Sequence, residues 1–175
     1  AEELVAEARG LPLFVCVSGG IDGEVVARSM MEVGAAFTPV LFQYKKHRPD
    51  DLKNAHHFAK TFGLSLRVID FDENTFFKGE FLKLAEQHAL YEPFVAFDLK
   101  RMQMLDGFSV FVAGDIVLER RPGLDPVSFE SGSLFQPERL FRAQGGKTCY
   151  RFFQSTAELM LSFLRDPIIA KWIEI

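Results

Sequence analysis

Residues 12–23 read Pro-Leu-Phe-Val-Cys-Val-Ser-Gly-Gly-Ile-Asp-Gly. The five apolar residues from Leu13 to Val17 lack the alternation of a half-exposed strand, so they suit a strand buried on both faces. A serine, two glycines and an aspartate follow at once, and a helix is predicted over 24–33. A buried strand that breaks into glycines and restarts as a helix is the opening unit of a parallel sheet. Unpaired N–H groups and the positive dipole end at that helix start favour an anion. Gly19 and Gly20 let the backbone close around it as a nest of donors. Ser18 adds a hydroxyl. Asp22 beside phosphate calls for a cation, which makes it a candidate magnesium ligand.

The rest of the chain repeats the strand–helix alternation. A helix over 2–9 precedes the first strand. Strands are predicted at 39–44, 64–71 and 108–113, with helices over 51–62, 74–90 and 93–106. The class expected is α/β: three layers, with a parallel sheet between helices. After residue 118 prolines and glycines accumulate. Short β-type runs at 127–130, 139–142 and 148–153 predict a small irregular or antiparallel β addition. Ser155-Thr156-Ala157-Glu158 has the form of a capping box and Asp166-Pro167 that of a helix start. The whole of 1–175 reads as one domain, with a variable, substrate-side segment at about 119–150.

Composition excludes some functions. The chain of 175 residues carries a formal net charge of -4, which disfavours bulk binding of nucleic acid. No apolar run reaches the roughly 20 residues of a membrane span. Glu2, Glu3 and Glu7 stand where a signal peptide is basic, so a cytoplasmic location is expected. The two cysteines, Cys16 and Cys149, form no C-x-x-C pair, which argues against a thiolate metal site. Cys16 reads as a small buried hydrophobe. The 19 phenylalanines, with the apolar end around Trp172, suggest bulky packing and a face that a second copy covers, a homodimer.

Neither G-x-x-x-x-G-K-[ST] nor G-x-G-x-x-G occurs around the loop. Ser18-Gly19-Gly20-Ile21-Asp22 instead resembles the signature of the PP-loop ATP pyrophosphatases, within the adenine-nucleotide α-hydrolase-like (HUP) superfamily. That family includes glutamine-dependent amide-forming synthetases, tRNA-modifying adenylating enzymes, a queuosine-pathway nitrile synthase and phosphoadenylylsulfate reductases. The likeness covers about 12–118, with Gly114-Asp115 as a second glycine–acid segment. The layout, including Phe152-Phe153-Gln154, resembles small phage-type and environmental members.

The resemblance implies a five-stranded parallel, Rossmann-like sheet and a single chemistry. ATP would be cleaved between its α- and β-phosphates as an acceptor is adenylated and pyrophosphate leaves. Ser18, Gly19, Gly20, Ile21, Asp22 and Gly23 would hold the pyrophosphate portion. Asp22, with Asp115, would hold Mg2+. Phe42, Gln43 and Tyr44, with Gly114, would border the nucleotide, and Asp115 would also serve catalysis. Lys147, after Gly145-Gly146, is a candidate lid cation. The family usually has serine where this chain has Gly23, which motivates the alternative of a nucleotide sensor without turnover. The cysteine motifs of the queuosine enzyme and of the sulfonucleotide reductases are missing. The expected partners are ATP or AMP and an acceptor whose identity the sequence leaves open.

Other charged groups read mainly as surface residues. They are the basic run Lys45, Lys46, His47 and Arg48, the helix residues His56 and His57, and Glu119, Arg120, Arg121 and Arg151.

Overall fold

A computed structural model describes residues 1–45, 49–90, 92–112 and 136–154, and singly residues 158, 159, 162, 165, 167 and 171. The predicted run at 127–130, the capping box at 155–158 and the Asp166-Pro167 start lie outside these in whole or in part.

Helix α1 (Glu2–Glu7) leads to strand β1 (Leu13–Cys16), buried along its whole length. Leu13, Val15 and Val17 enter one apolar core and Phe14 and Cys16 the other. This is why the run does not alternate: both of its faces are interior. Helix α2 (Ile21–Glu32) follows and buries Gly23, Val26, Ala27 and Met30, which share one helical face. Strand β2 (Thr38–Tyr44) is next, then helix α3 (Pro49–Thr61). Pro49, Asp50 and Asp51 open α3 as a proline and two acids should.

Strand β3 (Arg67–Phe71) buries only Phe71. The Asp72 carboxylate then caps a short helix, α4 (Glu73–Thr75), accepting from the backbone N–H groups of Asn74 and Thr75 at 3.1 and 3.4 Å. A π-helical turn (Phe76–Glu80) leads into α5 (Phe81–His88), so the single helix predicted over 74–90 is divided. The π turn brings Phe76 and Phe77 onto Phe97, with ring centres 5.9 and 6.2 Å away. Here much of the phenylalanine content is spent. Helix α6 (Pro93–Gln103), strand β4 (Phe108–Val110), helix α7 (Gln136–Ala143), strand β5 (Lys147–Cys149) and a 3-10 turn (Phe152–Gln154) complete the described elements.

The five strands form one sheet of order β3-β2-β1-β4-β5, and all of its pairings are parallel. One core lies between the sheet and α1, α2 and α3, the other between the sheet and α5, α6 and α7. The expected three-layer α/β class with a five-stranded parallel sheet is what the chain adopts. Two details differ after β4. Residues 139–142 are helical, because Pro137 and Glu138 start a turn, Phe141 packs inward and Arg142 reaches Glu138 at 2.9 Å. Residues 147–149 are the parallel fifth strand rather than an antiparallel addition. Among the described residues an antiparallel bridge joins Val112 and Arg151. Among the described residues no helix is long and apolar enough to cross a membrane.

Candidate nucleotide site

Strand order reverses at β1, whose neighbours are β2 and β4. Connections diverge there, which leaves a crevice above the carboxyl ends of β1 and β4, where open α/β sheets take their ligands. The Ser18-Gly19-Gly20 loop stands on that edge. It is anchored below by the Val17 N–H, which donates to the Val40 carbonyl at 2.8 Å.

Each glycine has its own reason. Gly19 has φ +88°, and a β-carbon on it would lie 1.9 Å from the Asp51 carbonyl oxygen. The loop therefore presses on the first turn of α3. Gly20 is the extended residue before α2, with φ −85° and ψ 166°, and no side chain caps the helix there. The first N–H groups of α2 thus stay available to an anion. Gly23 is buried: a β-carbon there would come within 3.2 Å of the Val17 α-carbon. Its lack of a side chain lets α2 close onto the end of β1. Because α2 begins at Ile21 and not at 24, Asp22 and Glu24 are first-turn acids. Ser18, Gly20, Ile21 and Asp22 are exposed and Gly19 is half-buried.

On the α6 side of the loop is a cleft of about 90 Å³, lined by Cys16, Val17, Ser18, Phe42, Tyr44, Arg101, Phe111 and Val112. The fold thus brings Ser18 together with Phe42 and Tyr44 from β2. Gln43, between them, is half-buried. On the other side, between α2 and α3, a more open groove of about 460 Å³ is lined by Gly19, Gly20, Ile21, Glu24, Arg28, Asn54, His57, Phe58, Thr61 and Phe62. His56 and His57 are both exposed on α3.

Lys147 is not brought to the loop. It pairs in register with Phe108, the first residue of β4, at the amino-terminal edge of the sheet. The turn carrying it faces away from the crevice because β5 runs parallel to β4. Gly114 and Asp115 lie outside the described residues, as do Lys46, His47, Arg48, Glu119, Arg120 and Arg121. Lys45 pairs with Asp72 at 3.2 Å, and Arg151 is buried, with its guanidinium 6.0 Å from the Tyr150 ring.

The floor of the smaller cleft holds a buried ionic cluster. The Asp98 carboxylate accepts from the Arg101 guanidinium and from the Tyr150 hydroxyl. Arg101 also donates to the Tyr44 hydroxyl at 3.2 Å. Burial works against the charge of Arg101, but the Asp98 carboxylate, with Tyr44 and Cys16, outweighs it and holds the guanidinium more firmly protonated. Burial, followed by the Asp98 charge, pushes the Tyr150 phenol up. Burial also raises the Cys16 and Cys149 thiols to about 12 each. Both are neutral thiols at ordinary pH and poor nucleophiles. Sequence reading passed over Asp98 and Arg101. The available signal was a charged pair at i, i+3 inside the apolar stripe Val95, Leu99, Met102.

No protein-family model and no curated protein matches the sequence. Solved structures resemble the chain in fold. A predicted subunit of tRNA methyltransferase from Methanocaldococcus jannaschii superposes with a TM-score of 0.50 at 16% identity, covering 89% of this chain and 75% of that one. The glutamine-dependent NAD+ synthetase of Acinetobacter baumannii, in complex with ADP, superposes at 0.48 with 15% identity over 63% of this chain. The NMN synthetase of Francisella tularensis superposes at 0.45 with 15% identity over 65%. The chain spans only 24% and 52% of the length of these two synthetases. At such identities the likeness concerns the fold alone, the three-layer α/β one with a five-stranded parallel sheet.

Proposed function

We propose that this HUP-type domain binds ATP at the carboxyl edge of its sheet and adenylates an acceptor, releasing pyrophosphate. The observation that carries the reading is the Ser18–Gly20 loop, set at the switch point of the sheet against an α2 start that no side chain caps. Its glycines fit a phosphate: Gly19 holds a positive φ, and a β-carbon there would meet the backbone of α3. The donor set also fits magnesium bound mostly by phosphate oxygens and water. Asp22 stands in the first turn of α2 with Glu24, which pairs with Arg28 at 2.6 Å, and the described residues contain no cluster of three His, Cys, Asp or Glu side chains able to cage a metal.

In this reading Ser18 and the N–H groups of residues 19–23 hold the β- and γ-phosphates. Asp22, with Asp115, would hold Mg2+, which would supply charge neutralisation when bound. The end of β2 from Phe42 to Tyr44, with Gly114, borders the nucleotide. An acceptor oxygen bonds to the α-phosphorus as the α–β bridging P–O bond breaks, and the electron pair leaves with pyrophosphate. Catalysis is positioning and charge stabilisation. Release of pyrophosphate from ATP with candidate acceptors, and of AMP once a nitrogen, sulfur or water nucleophile displaces it from the adenylated acceptor, tests the reading. Release of ADP and orthophosphate alone would overturn it.

A second reading is favoured by Gly23. With no hydroxyl at that position, the chain is a nucleotide sensor that binds ATP or AMP without cleaving it. Tight binding with no α–β cleavage, and cleavage gained on Gly23→Ser, is its signature.

A further inference from the structure

Arg101 has no part in the phosphate loop, yet it lines the cleft that opens beside Ser18. It stands in the last turn of α6, with its guanidinium carbon 5.7, 5.2 and 5.1 Å from the ring centres of Phe42, Phe97 and Phe111. The aromatic walls keep water back and strengthen any charge–charge contact made there. A guanidinium offers five N–H donors. Tyr44 and Asp98 each take one, and the buried Nε–H has no hydrogen-bond partner. Asp98 is already shared with Tyr150. Native structures rarely leave a buried donor unmade unless something else satisfies it.

The cleft measures about 90 Å³. That is less than the roughly 150 Å³ that encloses a benzene ring. It suits a group of a few atoms, tetrahedral or planar, whose remainder projects outward past Ser18. Arginine is the side chain best shaped for such an oxyanion.

We propose that Arg101 is the cation of an anion subsite beside the glycine loop, contacting a phosphoryl or carboxylate group of the bound ligand. The subsite rests on the nucleotide reading only for the source of that group. It is either the nucleotide's own phosphoryl nearest the ribose or an oxyanion carried by the acceptor.

The test follows the Arg101 Nε–H resonance by NMR in the full-length 15N-labelled chain, assigned by its loss in Arg101→Lys. The probes are orthophosphate, acetate, AMP and adenosine. A saturable shift with AMP and none with adenosine supports the subsite and names the nucleotide as source. A shift with orthophosphate or acetate but not with AMP supports it and names the acceptor. A resonance that stays still in every titration, while the Gly19 and Gly20 amides move with AMP, overturns the subsite and leaves the nucleotide reading standing. Movement of Arg101 with orthophosphate while no nucleotide moves the loop amides does the reverse. Stillness of both groups overturns both.

If the source is the nucleotide, Arg101→Lys weakens AMP about tenfold and adenosine less than twofold. Equal losses for both ligands with a lower melting temperature would assign Arg101 a structural role and overturn the proposal.

Discussion

The α-carbon of Gly19 rests against the carbonyl of Asp51, so closely that a β-carbon would lie 1.9 Å from that oxygen. The loop after β1 and the first turn of α3 therefore fix each other's position. Gly19→Ala must both strain a φ of +88° and push the two backbones apart. We expect a loss of about 2–4 kcal/mol in urea unfolding, together with loss of ATP binding. A variant within about 0.5 kcal/mol of wild type would show that the contact does not constrain the loop.

Gly23→Ser has opposing terms. Serine is the better helix residue by about 0.5 kcal/mol, but its β-carbon meets the Val17 α-carbon at 3.2 Å, so α2 must give by a few tenths of an ångström. Stability should stay within about 1 kcal/mol of wild type. ATP affinity should rise if the new hydroxyl faces phosphate. Calorimetric titration measures this, and an unchanged or lower affinity would remove the reason for regarding Gly23 as a lost contact.

Asp98→Asn leaves the Arg101 charge buried beside a neutral amide. Since Arg101 keeps 20% side-chain exposure, the expected loss is toward the low end of the range for breaking a buried pair, about 3 kcal/mol. The double variant Asp98→Asn, Arg101→Met should regain part of it, because no unpaired charge remains. Denaturant unfolding of the two singles and the double decides the matter. Strict additivity would mean that the pair is not coupled.

The cysteines carry a pH signature. Burial holds both thiols near 12, against 9.0 for the free group. Above pH 9 the unfolded chain loses thiol protons that the folded chain keeps, so stability falls as pH rises from about 9 toward 12 and is unaffected below. Neither cysteine should react with a thiol reagent in the native state at pH 8, and both should react in denaturant. Fast native labelling of either would contradict its burial.

The acid side has one exposed marker. The Asp72 carboxyl is lowered from 3.8, first by the Thr75 hydroxyl and then by Lys45 and the Thr75 N–H. Its cap therefore stabilises the turn above the unfolded value and is lost as pH falls through the lower folded one. An NMR titration of the Asp72 carboxyl should place its midpoint below 3.8. A midpoint at or above this would mean that the cap hydrogen bonds do not persist in solution.

Much of the crevice was legible because its signals are local. The unbroken apolar run 13–17 suited a strand buried on both faces, and the glycines beside it announced the turn. Helix starts were less legible: α2 begins at Ile21, since a glycine inside a first turn is tolerated when a strand packs against it. Residues 139–142, Arg-Leu-Phe-Arg, read as β-type because two adjacent apolar residues carry no period of their own. The Glu138–Arg142 pair and the burial of Phe141 made them a helix instead.

The sequence by itself determined the parallel α/β class and the loop, because strand burial, glycine backbone freedom and helix starts are properties of neighbouring residues. Only the tertiary structure decided that residues 147–149 complete the sheet in parallel, which carries Lys147 to the far edge. It alone brought Asp98 to Tyr150, 52 residues apart, and set Arg101 on the floor beside Ser18. A charge becomes a site only when the chain around it has closed and taken the water away, and no stretch of neighbouring residues records that closure.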